Sequence, residues 1–206
     1  MRAGFGMIIG TLLAAVAARP VAAQDEPIGF ERVRQLFVSK QAHAAARALS
    51  EVSVDFRKQL GRCHDEAIGG QMMQTEPKFD ALAAKINSGS VTSVATLDRE
   101  FAGIDHLLAE HHQQLAADGW SKPRFTKMET VAQDLELAAR YLARAGSWVN
   151  QPLGADAQKA VDDALVVAKK LAAEPGSPPP NTPAVIDALG QAVRRPMHVA
   201  QGGSMP

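Results

Sequence analysis

Apolar residues in this chain of 206 residues recur at the period of an α-helix. From Val94 they fall in alternating steps of three and four, at positions 94, 97, 101, 104 and 108, and Leu115 follows one full seven-residue repeat later. Such spacing puts one apolar stripe along a helix, and that stripe must pack against other helices. No stretch of the chain alternates apolar and polar residues as a half-buried strand would. The pattern therefore predicts an all-α protein.

Glycine and proline divide the chain into helical segments of different length. The predicted segments are 27–68, 77–87, 91–118, 123–145 and 155–174, and the first could be two helices if "SEVSVDF" at 50–56 breaks it. Gly69 and Gly70 are expected to end the first segment, and Gly119 the third. Short connections of this kind favour antiparallel neighbours. The sequence thus predicts an up-and-down bundle of four to five helices.

The first 23 residues have the pattern of a secretory signal peptide. Arg2 precedes a short apolar run over 7–18, and Val21 and Ala23 provide the small residues of a cleavage site. We expect a mature chain that begins at Gln24 and is periplasmic or secreted. No later segment reaches the length of apolar sequence that a membrane helix needs, so no membrane span is expected after removal of the signal.

The chain changes in character near Glu174. We assign 24–174 to a helical bundle domain and 175–206 to a Pro-rich linker, a short helix over 183–194 and a flexible tail, because "PGSPPPNTP" favours an extended backbone. No aromatic residue occurs after Trp148, so the last segment is expected to add little to the core. Truncation after Glu174 is accordingly predicted to leave the bundle folded.

Charge excludes one class of partner. The chain carries 22 Lys and Arg residues against 22 Asp and Glu residues, and the basic residues form no stripe. A nucleic-acid-binding protein needs an excess of positive charge on one face, so no nucleic-acid partner is expected. The single Cys63 cannot form an intramolecular disulfide, and stability must therefore come from packing.

Three of the six histidines lie in "IDHLLAEHHQQL", residues 104–115. The apolar stripe of this helix passes through position 111, so His111 is predicted to point into the core. His106 lies about 180° away around the helix at ~100° per residue, and it is predicted to face water. His112 lies on the shoulder of the stripe, where it continues a polar seam of Asp98 and Asp105 at seven-residue intervals.

These histidines could complete a metal site only with a second helix, because residues seven apart on one helix are too distant to share an ion. The segment "GRCHDEAIGGQMM" at 61–73 offers Cys63 and His64, and such side chains suit a transition metal such as copper or zinc. The predicted metal ligands are His111, His112, Cys63 and His64. The alternative is that Cys63 and the nearby methionines simply fill the core.

Three functions are open to such a chain. The leading hypothesis is an exported periplasmic accessory or interaction protein, without evident catalysis, that meets an unknown protein partner. The second is a periplasmic metal-handling protein for copper, zinc or nickel, although the sequence assures no cofactor. The third is an enzyme with a scattered site, for which the chain offers no H-E-x-x-H, phosphate-binding loop or G-x-S-x-G motif.

Overall fold

The computed structural model describes residues 27–91 and 93–195, and the regular structure within them is entirely helical. The helices are α1 (Phe30–Val38), α2 (Ala42–Leu60), α3 (Glu66–Asn87), α4 (Val94–Ser121), α5 (Met128–Trp148), α6 (Ala155–Ala173) and α7 (Thr182–Arg194). The all-α prediction is confirmed, but the described residues form seven helices rather than four to five. The predicted signal peptide at 1–23 and the tail at 196–206 lie outside the described residues.

The difference in number arises in the N-terminal region. The predicted helix over 27–68 is broken at 39–41 and again at 61–65. Lys40 at the first break has a φ of 58°, in the left-handed region that ends helices. The sequence did not decide whether residues 50–56 interrupt the first helix. In the structure these residues lie inside α2.

The predicted helix end at Gly69 and Gly70 is wrong, because both glycines lie inside α3. The carboxylate of Asp65 accepts a hydrogen bond from the backbone N–H of Ile68 at 2.9 Å. This N-cap satisfies a free amide of the first turn and fixes the start of the helix before the glycines. The helix then continues through Pro77 and absorbs the separate segment predicted over 77–87.

The last four helices form a bundle in which each packs on its chain neighbour and α7 returns to α4. Helices α1 to α3 cover one side of it. Phe30 of α1 stacks on Phe101 of α4 with ring centroids 4.5 Å apart, and Phe56 packs on Phe79 at 5.0 Å. Among the described residues, no helix combines the length and hydrophobicity that crossing a membrane would require.

Helix α7 belongs to this core, which the sequence did not anticipate. Its large buried apolar side chains are Val185, Ile186, Leu189 and Val193. Gln113 of α4 donates a hydrogen bond from Nε2 to the backbone carbonyl of Ile186 at 3.3 Å. Gly190 permits this approach, since a Cβ there would lie 2.6 Å from Gln113 Nε2. These contacts indicate that α7 stabilises the bundle. We therefore expect truncation after Glu174 to destabilise the fold, contrary to the prediction from the sequence.

Candidate functional site

A row of polar side chains runs through the interface between α4 and α5. On α4 it consists of Asp98, Asp105 and His112, and on α5 of Asp134, Tyr141 and Trp148. Both sets repeat at seven-residue intervals. Residues seven apart lie on the same face of an α-helix, so each set follows one face of its helix. Asp105 and His112 of the predicted seam on α4 contact the second seam on α5, whereas Asp98 pairs with Arg34 of α1. The two seams together define the polar row.

The centre of the polar row is a buried ion pair. Arg144 donates two hydrogen bonds to the fully buried carboxylate of Asp105, at 2.7 and 2.8 Å, and Trp148 Nε1 donates a third at 2.7 Å. Burial raises the pKa of Asp105 to about 6, while the hydrogen bonds from Arg144 and Trp148 act to lower it. Arg144 also lies over the Tyr141 ring, 5.3 Å from its centroid. These groups bind one another, so their role is structural.

His112 continues the row toward the loop between α2 and α3. It is fully buried, it stacks on Tyr141, and its Nδ1 lies 2.9 Å from Asp134 Oδ1. Arg62 donates to the same carboxylate at 3.0 and 3.2 Å. A carboxylate paired with a guanidinium can only accept, so His112 Nδ1 is the donor in this hydrogen bond. The Nε2 of His112 is buried, and no other described residue provides it with a hydrogen bond.

His111 points into the core, which confirms the prediction from the apolar stripe. It is 1% exposed, and its ring centroid lies 5.0 Å from that of His112. Burial, with smaller contributions from His112 and Arg62, lowers the pKa of His111 to about 3. The imidazole is therefore neutral at neutral pH. Its Nε2 is buried and, like that of His112, has no hydrogen-bond partner among the described residues.

The other two predicted ligands lie in the loop at 61–65. Cys63 is half-buried, its thiol donates to the backbone carbonyl of Asp65 at 3.5 Å, and burial raises the pKa of that thiol. His64 is exposed, yet it is near enough for its charge to lower the pKa of His111. In the described part of the chain, no three His, Cys, Asp or Glu side chains are placed to hold a metal ion. The structure thus brings together only His111 and His112.

The prediction that His106 faces water is wrong. Its side chain is half-buried and forms a hydrogen bond with the backbone of Val193 in α7. Burial lowers the pKa of His106, and its Nδ1 is buried without a hydrogen-bond partner among the described residues. The helical phase was correct, but α7 covers the side of α4 that the sequence assigned to solvent.

A groove of about 330 Å³ lies between α3 and α4. Its α3 wall is formed by Gln71, Gln74, Thr75 and Lys78, and its α4 wall by Arg99, Glu100, Gly103, Ile104, His106, Leu107 and Glu110. The groove exists because α3 packs mainly on α2 and touches α4 only lightly. An apolar floor with charged rims is typical of surfaces that bind other polypeptides.

Gly103 in this groove differs from the other glycines inside helices α4 to α7. A Cβ at Gly119 would meet Thr126 at 2.9 Å, one at Gly146 would meet a backbone carbonyl at 2.8 Å, and Gly190 is close to Gln113. A Cβ at Gly103 would meet no atom of the described residues within 4 Å, as is also the case for Gly70 in α3. Glycine inside a helix costs about 1 kcal/mol relative to alanine, and packing within the described residues gives no reason for it here.

The comparisons with known proteins give no relative from which a function could be transferred. No family model, curated protein or solved structure matches this chain. Sequence reasoning alone missed Arg62, Asp134 and Arg144, which are the charged partners of the polar row. The seven-residue interval of Asp134, Tyr141 and Trp148 was the available signal, since it equals the interval of the seam on α4.

Proposed function

We propose that this protein is an exported, non-enzymatic interaction protein that binds a partner polypeptide in the groove between α3 and α4. The observation that carries the proposal is the open space at Gly103, in the middle of the longest helix. A helical glycine that no described side chain approaches suits a position that another backbone approaches closely.

The lining of the groove indicates the chemistry of the partner. Ile104 and Leu107 form an apolar floor, so the partner should present an apolar side chain there. Each wall carries charge, with Lys78 on α3 and both Arg99 and Glu100 on α4. A segment that is apolar on one face and carries both signs of charge on the other matches this surface, as in helix-in-groove recognition.

Export is the second part of the proposal. It rests on the signal-peptide pattern of residues 1–23, with its positive start, short apolar run and small-residue cleavage site. In this proposal the chain from Gln24 meets its partner in the periplasm or outside the cell.

A photo-crosslinking amino acid at position 74 tests the groove. Gln74 is exposed on the α3 wall, so a crosslinker there should form an adduct with a bound polypeptide in the cells that produce the protein. The additional substitution Gly103→Trp should abolish the adduct, because the indole would fill the groove. The measurement is a mass shift of the protein on a denaturing gel.

Position 166 on α6 provides the matched control, since Val166 is 54% exposed and lies outside the groove. A crosslinker there should give no such adduct. The melting temperature of Gly103→Trp should be no lower than that of the parent chain, because no described atom lies within 4 Å of the new Cβ and a helix loses its interior glycine. Adducts of equal yield at positions 74 and 166, or adducts that persist with Gly103→Trp, would contradict the proposal.

A metal-handling function is the second candidate, and one observation favours it. His111 and His112 each bury an Nε2 atom that no described residue hydrogen-bonds, and an unpaired buried polar atom costs about 1–3 kcal/mol. Asp134 holds the His112 ring as carboxylates hold metal-ligating imidazoles. A copper or zinc ion bound at these nitrogens would need a further ligand such as Cys63 or His64, and the adjacent loop would have to move to supply it, since the described side chains are not placed to hold an ion.

Titration of the chain with zinc and copper ions tests this candidate. The parent chain, prepared without a histidine tag, should bind one ion, and His111→Leu should abolish binding while leaving the helical signal intact. His43→Leu is the control, because His43 is exposed and bonds to Asn87 instead. Failure of the parent chain to bind either ion in equilibrium dialysis would eliminate the metal function.

A further inference from the structure

The turn that joins α4 to α5 combines one exposed aromatic side chain with three cations. Phe125 is 89% exposed, and Lys122, Arg124 and Lys127 around it are exposed as well. No acidic residue occurs between Asp118 and Glu129. Within the described part of the chain, none of the three cations is paired with a carboxylate. We call residues 121–127 the α4–α5 tip.

The tip is an ordered turn, so its backbone holds Phe125 outward. The backbone N–H groups of Phe125 and Thr126 both donate to the Lys122 carbonyl, at 2.9 and 3.2 Å. Thr126 turns inward onto Gly119, where a Cβ would lie 2.9 Å from the threonine methyl group. The half-buried Thr126 is thus less exposed than the neighbouring Phe125, which is the reverse of what the hydrophobic effect favours.

The shape of the tip decides between two kinds of partner. A stable protein interface buries about 800 Å² on each side, and a convex turn with one apolar side chain offers much less. A phospholipid surface is fluid and closes around a single inserted ring. Basic residues near the surface then contact lipid phosphates, as in other interfacial anchors.

We propose that the α4–α5 tip docks onto an anionic phospholipid surface. Phe125 enters the boundary between headgroups and acyl chains, and Lys122, Arg124 and Lys127 bind the phosphate groups of neighbouring lipids. The contact is peripheral, since it involves only a turn at one end of the bundle. It is independent of the proposed binding of a polypeptide, because the tip and the groove share no residue.

Co-sedimentation with vesicles tests the docking. The chain from Gln24 contains every described residue and should bind phosphatidylglycerol vesicles at least tenfold more tightly than phosphatidylcholine vesicles. Phe125→Ser should weaken this binding about tenfold or more, since the inserted ring is lost. Replacing Lys122, Arg124 and Lys127 together by glutamine should weaken it about 100-fold, at about fivefold for each charge.

Val54→Ser is the control, because Val54 is an exposed apolar residue of α2 outside the tip and should leave vesicle binding unchanged. Raising the salt concentration to 0.5 M should reduce binding of the parent chain, because salt screens the cations. Equal binding to the two vesicle types, or equal effects of Val54→Ser and Phe125→Ser, would overturn the proposal. Crosslinking at position 74 measures the groove separately, so either proposal can fail without the other.

Discussion

Truncation after Glu174 should abolish cooperative unfolding of the bundle. It removes the four large buried apolar side chains of α7, each of which contributes about 1.5–3 kcal/mol when fully buried. Their sum of roughly 6–12 kcal/mol is comparable with the whole stability of a typical domain, about 5–15 kcal/mol. It also exposes the surfaces of α4 and α6 that α7 covers. Thermal unfolding followed by circular dichroism would measure the loss.

A chain that ends after Arg195 keeps every described contact of α7 and serves as the control. A graded version of the experiment uses point substitutions. Leu189→Ala should cost about 2–5 kcal/mol, because Leu189 is fully buried, whereas Asp187→Ala on the exposed face of α7 should cost under about 0.5 kcal/mol. A chain truncated after Glu174 that unfolds with the parent's melting temperature would show that α7 is dispensable.

Substitution of Asp105 by alanine should cost about 3–5 kcal/mol of unfolding free energy. The carboxylate is fully buried and accepts hydrogen bonds from Arg144 and Trp148. Its loss leaves the indole N–H without a partner and leaves the guanidinium of Arg144 with only the exposed carboxylate of Glu31. Denaturant unfolding of the parent and variant chains would measure the difference.

Asp98→Ala is the matched control, since Asp98 lies one seven-residue repeat earlier on α4 and pairs with Arg34 near the surface. Arg34 is 43% exposed, so this substitution should cost at most about 1 kcal/mol. The double substitution Asp105→Leu with Arg144→Met removes both charges and should recover much of the loss. Equal costs for Asp105→Ala and Asp98→Ala would show that burial of the pair has no special effect.

The sequence was most informative where one helix determines its own environment. The apolar steps from Val94 to Leu115 predicted the buried side of α4, and with it the inward direction of His111. The sequence also showed the polar seam of Asp105 and His112. The seven-residue spacing of that seam does not show which helix packs against it. Its burial against α5 is a property of the fold, and the sequence therefore placed it only on the shoulder of the stripe.

The errors have the same physical origin. His106 was assigned to solvent because α7 was expected to stand apart from the bundle, whereas α7 packs on that side of α4. Gly69 and Gly70 were read as a helix end because glycine is a poor helix former. The cap at Asp65 begins α3 before them, and tertiary packing sustains the helix. The groove depends on the spacing of α3 and α4, which no local pattern encodes.

The polar row also bears on how α4 and α5 find their alignment during folding. The apolar stripe of α5 is rich in alanine and repeats leucine at 135 and 142, so its packing would tolerate a shift of seven residues along α4. Such a slipped register would put Leu137 opposite Asp105 in place of Arg144 and bury the carboxylate without a cation. The ion pair would thus penalise misaligned docking, as a buried polar residue fixes the register of a coiled coil.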